Sequence, residues 1–142
     1  MSTIWSNKAK LEMLKGTISL DSDTIKCILM ASGYQFNRAT HATYADVLAS
    51  EHPTASGYTI GGSALSGIAL TQNDTTNISY ATWNNKSWTA NGGNITSPGA
   101  ILFDDTVADP EDIVLGYIDF GGDQTVLDGG AFTVANIKMQ IS

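Results

Sequence analysis

The 142-residue sequence holds one cysteine, two histidines and only seven Lys and Arg residues, and no apolar run approaches the about 18 residues that a membrane-crossing helix needs. Each scarcity excludes something. Cys27 has no partner for an intrachain disulfide or a CxxC metal site, and its neighbours Ile25, Ile28 and Leu29 mark it as a small buried hydrophobe. Fourteen acidic residues against seven basic ones give a net charge of −7. No basic residue falls between Lys86 and Lys138, whereas Asp104, Asp105, Asp109, Glu111, Asp112, Asp119, Asp123 and Asp128 all do. Such a surface repels phosphate backbones, so nucleic acid is not an expected partner, and neither is a membrane. The opening residues "MSTIWSNKAKLEMLKG" lack the apolar core and small-residue cleavage site of a signal peptide, so none is expected.

What is present is globular composition, with 42% hydrophobic and 15% charged residues in a length that suits a single domain, residues 1–142. Helical signal is confined to the start. Ser6 or Asn7 can cap, Ala9, Leu11, Met13 and Leu14 favour helix, and Gly16 supplies the left-handed stop, which predicts a helix near residues 7–15 inside an N-terminal arm spanning 1–16.

From Thr17 the period becomes strand-like. "TISL", a turn at Asp21-Ser22-Asp23, and "TIKCILMA" predict a hairpin with Ile25, Cys27 and Leu29 on one face and Lys26, Ile28 and Met30 on the other. A short helix at "TYADVLAS" is expected before the breaker Pro53. Strands are then expected at residues 58–60, 64–70, 77–83, 97–105, 112–120 and 131–141, with Asn-, Gly- and Asp-rich turns between them. "IVLGYIDF" is apolar at nearly every position, as a central strand covered on both sides should be. In the last strand Phe132 and Val134 give way to Ile137, Met139 and Ile141, which predicts a bulge near Ala135 or burial of both faces at its start. Together these features predict an all-β antiparallel β-sandwich or jelly roll with a short N-terminal helix.

Motifs with chemistry are few. The glycine-rich "ASGYTIGGSALSGIALT" has no lysine for a phosphate loop, and Leu65 stands where the GxSxG elbow of a serine hydrolase needs its second glycine. Its glycines are expected to bend a sheet. His41 and His52, with Asp46 between them, match no zinc spacing and read as ordinary surface histidines. "DDTVADPED" offers Asp104, Asp105, Asp109, Glu111 and Asp112 as hard oxygen donors for a cation such as calcium, but not in EF-hand order, and a plain solvated acidic loop is the simpler reading. Trp83 and Trp88 flank "NNKS" and form either an exposed stacking platform for sugar or, more simply, core and interface packing. No enzyme activity, cofactor or metal is expected from these residues. Ile4 and Trp5, apolar residues at a terminus, either reach a neighbouring partner or seat Trp5 in its own core.

In order along the chain, the helix ending in "LKG", then "TISLDSDTIKCILMASGYQFN", "HATYADV", "ASGYTIGGSAL" and "AILFDD … LGYIDFGG" resemble small virion proteins of tailed bacteriophages. The resemblance covers most of the chain and implies a compact β-rich capsid cement or decoration protein. Its implied partner is the major capsid protein, and it would be a homo-oligomer, dimer or trimer, attached to the outer surface of the head in the virion. A tail or fibre position and a carbohydrate-binding β-sandwich module are the alternatives. The resemblance carries over no functional residues. The charge favours the outer surface, away from packaged DNA.

Overall fold

A computed structural model describes residues 2–106 and 112–142. The chain begins with a strand, β1 (Ser2–Trp5), and turns into the helix α1 (Asn7–Lys15) through Ser6. Ser6 Oγ accepts from Ala9 N–H at 2.9 Å and donates to the carbonyl of Val114, while Ser6 N–H donates to Leu115 O, so the cap also fastens the helix to the sheet. At the other end Gly16 takes φ 78°, and Thr17 N–H closes on Glu12 O at 2.9 Å. The helix thus starts and stops where its sequence signals lie.

The remaining strands are β2 (Ile25–Leu29), β3 (Ser63–Ala64), β4 (Ala69–Asn73), β5 (Ile78–Thr82), β6 (Lys86–Thr89), β7 (Ile95–Asp104), β8 (Ile113–Val126), β9 (Ala131–Val134) and β10 (Lys138–Ile141). Between β2 and β3 lie a one-turn helix, α2 (Tyr44–Val47), and a 3₁₀ turn (Leu48–Ser50) at the expected "TYADVLAS". Three sheets form, with strand orders β1-β8-β7-β2-β3, β10-β5-β4 and β6-β9, and every pairing is antiparallel. The protein is therefore all-β and sandwich-like, with one short helix near its N-terminus.

The large sheet separates two apolar layers, and the alternation of β2 shows how. Ile25, Cys27 and Leu29 face the main core with Leu102 and Leu115, which is closed from the far side by Ala81, Trp83, Trp88, Phe132, Val134 and Met139. Ile28 and Met30 face a second core with Ile101, Phe103 and Tyr117, roofed by Tyr44 and Val47. Both faces of β8 are covered from Ile113 to Ile118, as the nearly continuous apolar run predicted, while its second half extends into solvent.

Several expected strands differ. "TISL" forms no strand, because Ser19 N–H is taken by the Asp23 carboxylate at 2.9 Å and Asp23 N–H by Ser19 O at 2.8 Å; this side-chain turn replaces the first arm of the hairpin, and β2 pairs instead with β7 and β3. Residues 58–60 make only an isolated Ala55–Tyr58 bridge. "KSWT", which falls in an expected turn, is strand β6, while β8 runs on through Gly121 and Gly122 to Val126. The last strand does not bulge near Ala135. It breaks there, Asn136 adopting φ 55°, and its halves join different sheets as β9 and β10. The β7–β8 ladder instead shifts register twice, and at one of the shifts Leu102 pairs with Gly116 and Phe103 with Val114, so that Leu115 and Ile118 face one core and Val114 and Tyr117 the other.

Candidate functional site

In the glycine-rich stretch Gly61 and Gly62 hold φ of 98° and 63°. A Cβ on Gly62 would lie 2.0 Å from the carbonyl oxygen of Cys27, so this position demands glycine for close approach of two backbones. Ser63 follows in β3, paired with Cys27 at the edge of the large sheet. The two histidines are engaged elsewhere: His41 Nδ1 meets Tyr34 Oη at 2.8 Å and accepts from Asn37 N–H, and His52 Nδ1 sits 2.8 Å from Pro53 O. His52 is buried rather than on the surface, its ring edge-on to Tyr58, because its backbone N–H bonds Leu29 O and draws it against β2.

A cluster that the sequence did not signal lies beside this stretch. Glu51 is buried, and its carboxylate accepts from Tyr44 Oη at 2.5 Å, Tyr58 Oη at 2.6 Å and Gly61 N–H at 2.8 Å. The two tyrosines stand seven residues to either side of it, on α2 and after the 3₁₀ turn, a symmetry visible only once the chain is folded. Burial, and then the adjoining Glu51 carboxylate, push the Tyr58 hydroxyl far above its usual range, which keeps it a donor. The arrangement satisfies a buried charge by hydrogen bonds and ties residues 44–61 to the large sheet.

Of the acidic cluster, Asp109 and Glu111 lie outside the described residues. Asp104 and Asp112 are buried, and Asp105 pairs with Lys26 at 3.2 Å. Burial, and then a hydrogen bond shared with Asp23, raise the Asp104 carboxyl to about 6, while Thr106 N–H holds one of its oxygens at 2.9 Å. Among the described residues no three His, Cys, Asp or Glu side chains converge as a metal site. Cys27 is fully buried, and burial pushes its thiol up to about 12.

The aromatic residues divide clearly. Trp83 and Trp88 are buried in the main core, 7% and 9% exposed, so neither indole forms an exposed platform. Ile4 and Trp5 are half-buried in β1, opposite Tyr117 and Gly116 of β8, and Trp5 Nε1–H donates to Gln140 O at 2.7 Å. β1 and α1 thus pack on the chain's own fold, with Trp5 against the main core.

Trp5 also borders a largely apolar concavity. The sandwich is open between α1 and the inner face of the small β10-β5-β4 sheet. There Trp5 and Met13 form one wall, and Leu70, Ala81, Met139 and Ile141 the floor, of a groove of about 400 Å³. It continues past Trp5 and Ile141 into a hollow of about 590 Å³ beneath Leu14 and Lys10. Leu14 on the rim is 88% exposed, and Leu70 and Ile141 on the floor are about half exposed, so apolar side chains stand in solvent on both, among polar neighbours such as Lys10 and Asp21. No titratable cluster converges on it, and its chemistry is that of a contact surface.

No protein-family model, no curated protein and no solved structure matches this chain.

Proposed function

We propose that the chain is a bacteriophage virion structural protein, a capsid cement or decoration protein that binds the outer surface of the major capsid lattice and stabilises it. The observation that carries this reading is the open apolar groove with its exposed leucines, the mark of a chain that works within an assembly of chains rather than alone. A small acidic protein that leaves Leu11, Leu14, Leu70 and Ile141 in solvent is built for contact with other chains. The resemblance of "TISLDSDTIKCILMASGYQFN", "HATYADV" and "ASGYTIGGSAL" to small phage virion proteins supplies the kind of assembly, and the net charge of −7 supplies the side, since packaged DNA repels it.

Stabilisation follows from linkage. A protein that binds only the assembled lattice lowers its free energy by mass action, without chemistry of its own. A tail or fibre-associated position remains the second reading, because the resemblance identifies the class of protein better than its place on the particle. The carbohydrate-binding alternative loses its supporting feature with the burial of Trp83 and Trp88. The test is electron microscopy of particles carrying gold-labelled protein: label over the whole head supports the assignment, and label confined to the tail defeats it.

A further inference from the structure

We propose that the groove between α1 and the small sheet is the seat of a second copy of this chain, forming an isologous dimer about a two-fold axis near Trp5. The inference rests on the reading of the groove as a contact surface and names its occupant. Three observations lead to self-association. The groove is nearly free of charge on a chain whose net charge is −7, so it is the face on which two copies approach with least repulsion.

The charged side chains that do border it are of opposite sign and lie at opposite ends. Lys10 lines the hollow beyond Trp5, Asp21 lines the groove on the other side, and Trp5, Met13 and Ile141 belong to both. Among the described residues Lys10 has no ion-pair partner, unlike Lys8 and Lys15, which both hold Glu12, and Asp21 meets only the Ser19 hydroxyl at 2.8 Å. A two-fold axis through the shared middle brings Lys10 of each copy to Asp21 of the other, which is the reciprocity that an isologous interface requires.

The third observation is the fit of knob and hole. Leu14 stands almost wholly in solvent on α1, one helical turn from Lys10 and from Leu11, beside a hollow floored by apolar side chains. Crossing two copies of α1 places the leucines of each over the groove of the other. The interface core is then Trp5, Met13, Leu14, Leu70 and Ile141, with the two Lys10–Asp21 pairs at its rim, an apolar centre inside a polar border.

The experiment is sedimentation equilibrium of the purified full chain without particles. The wild type is expected as a dimer at micromolar concentration. Leu14→Glu is expected to raise the dissociation constant more than tenfold with unchanged circular dichroism. Lys10→Glu and Asp21→Lys are each expected to weaken the dimer, and the double variant to recover most of the loss, because it re-forms both pairs in reverse. A wild type that stays monomeric to 100 times that concentration overturns the proposal, as does a dimer indifferent to Leu14→Glu, or a double variant no tighter than either single one. Since no particle is present, failure here leaves the capsid assignment to its own test.

Discussion

At the residue scale, Glu51 places a carboxylate inside the fold. A buried carboxylate without a cation is tolerable only because Tyr44, Tyr58 and Gly61 together supply three donors. Glu51→Gln keeps the shape but removes the charge that strengthens all three bonds, and places an amide that must find acceptors of its own. Urea unfolding should show a loss of about 2–3 kcal/mol, the scale of hydrogen bonds to a charged group. A change below about 0.5 kcal/mol would show that the cluster is dispensable. Asp104 makes the opposite prediction. Its folded value of about 6 lies above the ordinary 3.8, so the folded state favours the protonated acid. Its contribution is therefore complete below about pH 4 and is lost as pH rises through about 6. Thermal melts should show stability falling across that window, and Asp104→Asn should flatten the fall. Glu12 works in a separate window. Lys8, then Thr17 and Lys15, hold it at about 2, so its contribution is present above the usual 4.5 and disappears as pH falls through 2. A melt profile with no slope between pH 4 and 6, or one unchanged by Asp104→Asn, would contradict the account of Asp104.

At the scale of elements, the sequence revealed those whose signals are local. Ser6, the apolar spacing of α1 and Gly16 define a helix without reference to anything else, β2 carries its two faces in its alternation, and the first half of β8 carries its burial in a nearly continuous apolar run. What stayed hidden depends on partners distant in the chain. "KSWT" looks like turn because Lys86, Ser87 and Thr89 are polar, yet only Trp88 needs to be buried for a strand paired with β9. "TISL" looks like strand, but the Asp23 side chain, four residues on, takes Ser19 N–H. The groove was equally illegible, since Trp5, Leu70 and Ile141 come from three distant segments; only the oddity of apolar residues near the terminus pointed to Trp5. The attachment of β1 offers a direct test of element packing. Gly116 faces Trp5 in the register, and a Cβ there would lie 2.3 Å from Ile4 O and 2.9 Å from Met139 Cε. Gly116→Ala should push β1 off β8 at a cost of roughly 1–3 kcal/mol, as overpacking does. Amide hydrogen exchange should then show the protection of residues 3–5 falling well before that of β7. Unchanged protection and melting temperature would mean that β1 is held by something other than this close approach.

At the scale of the whole molecule, the fold is a double-layered β structure in which several titratable groups brace the loops and the helix, and an open apolar groove lies at one mouth of the sandwich. Tyr44, Tyr58 and Glu51 brace one loop region, Asp23 and Ser19 close another, and Glu12 gathers Lys8 and Lys15 on the helix. The outer face of the small sheet is polar, with Lys138 set 4.2 Å over the ring of Tyr80, in contrast to the apolar inner face that floors the groove. Surface chemistry of this kind suits a protein that works by occupying places on a larger assembly, where many copies convert weak contacts into a strong cumulative one. Purified protein mixed with phage particles lacking it measures that claim most directly, through the number of copies bound at saturation and the temperature at which the genome is released. The account predicts saturable binding at a fixed ratio to the major capsid protein and a release temperature that rises with occupancy. Binding that never saturates, or a release temperature that stays the same at full occupancy, would contradict it.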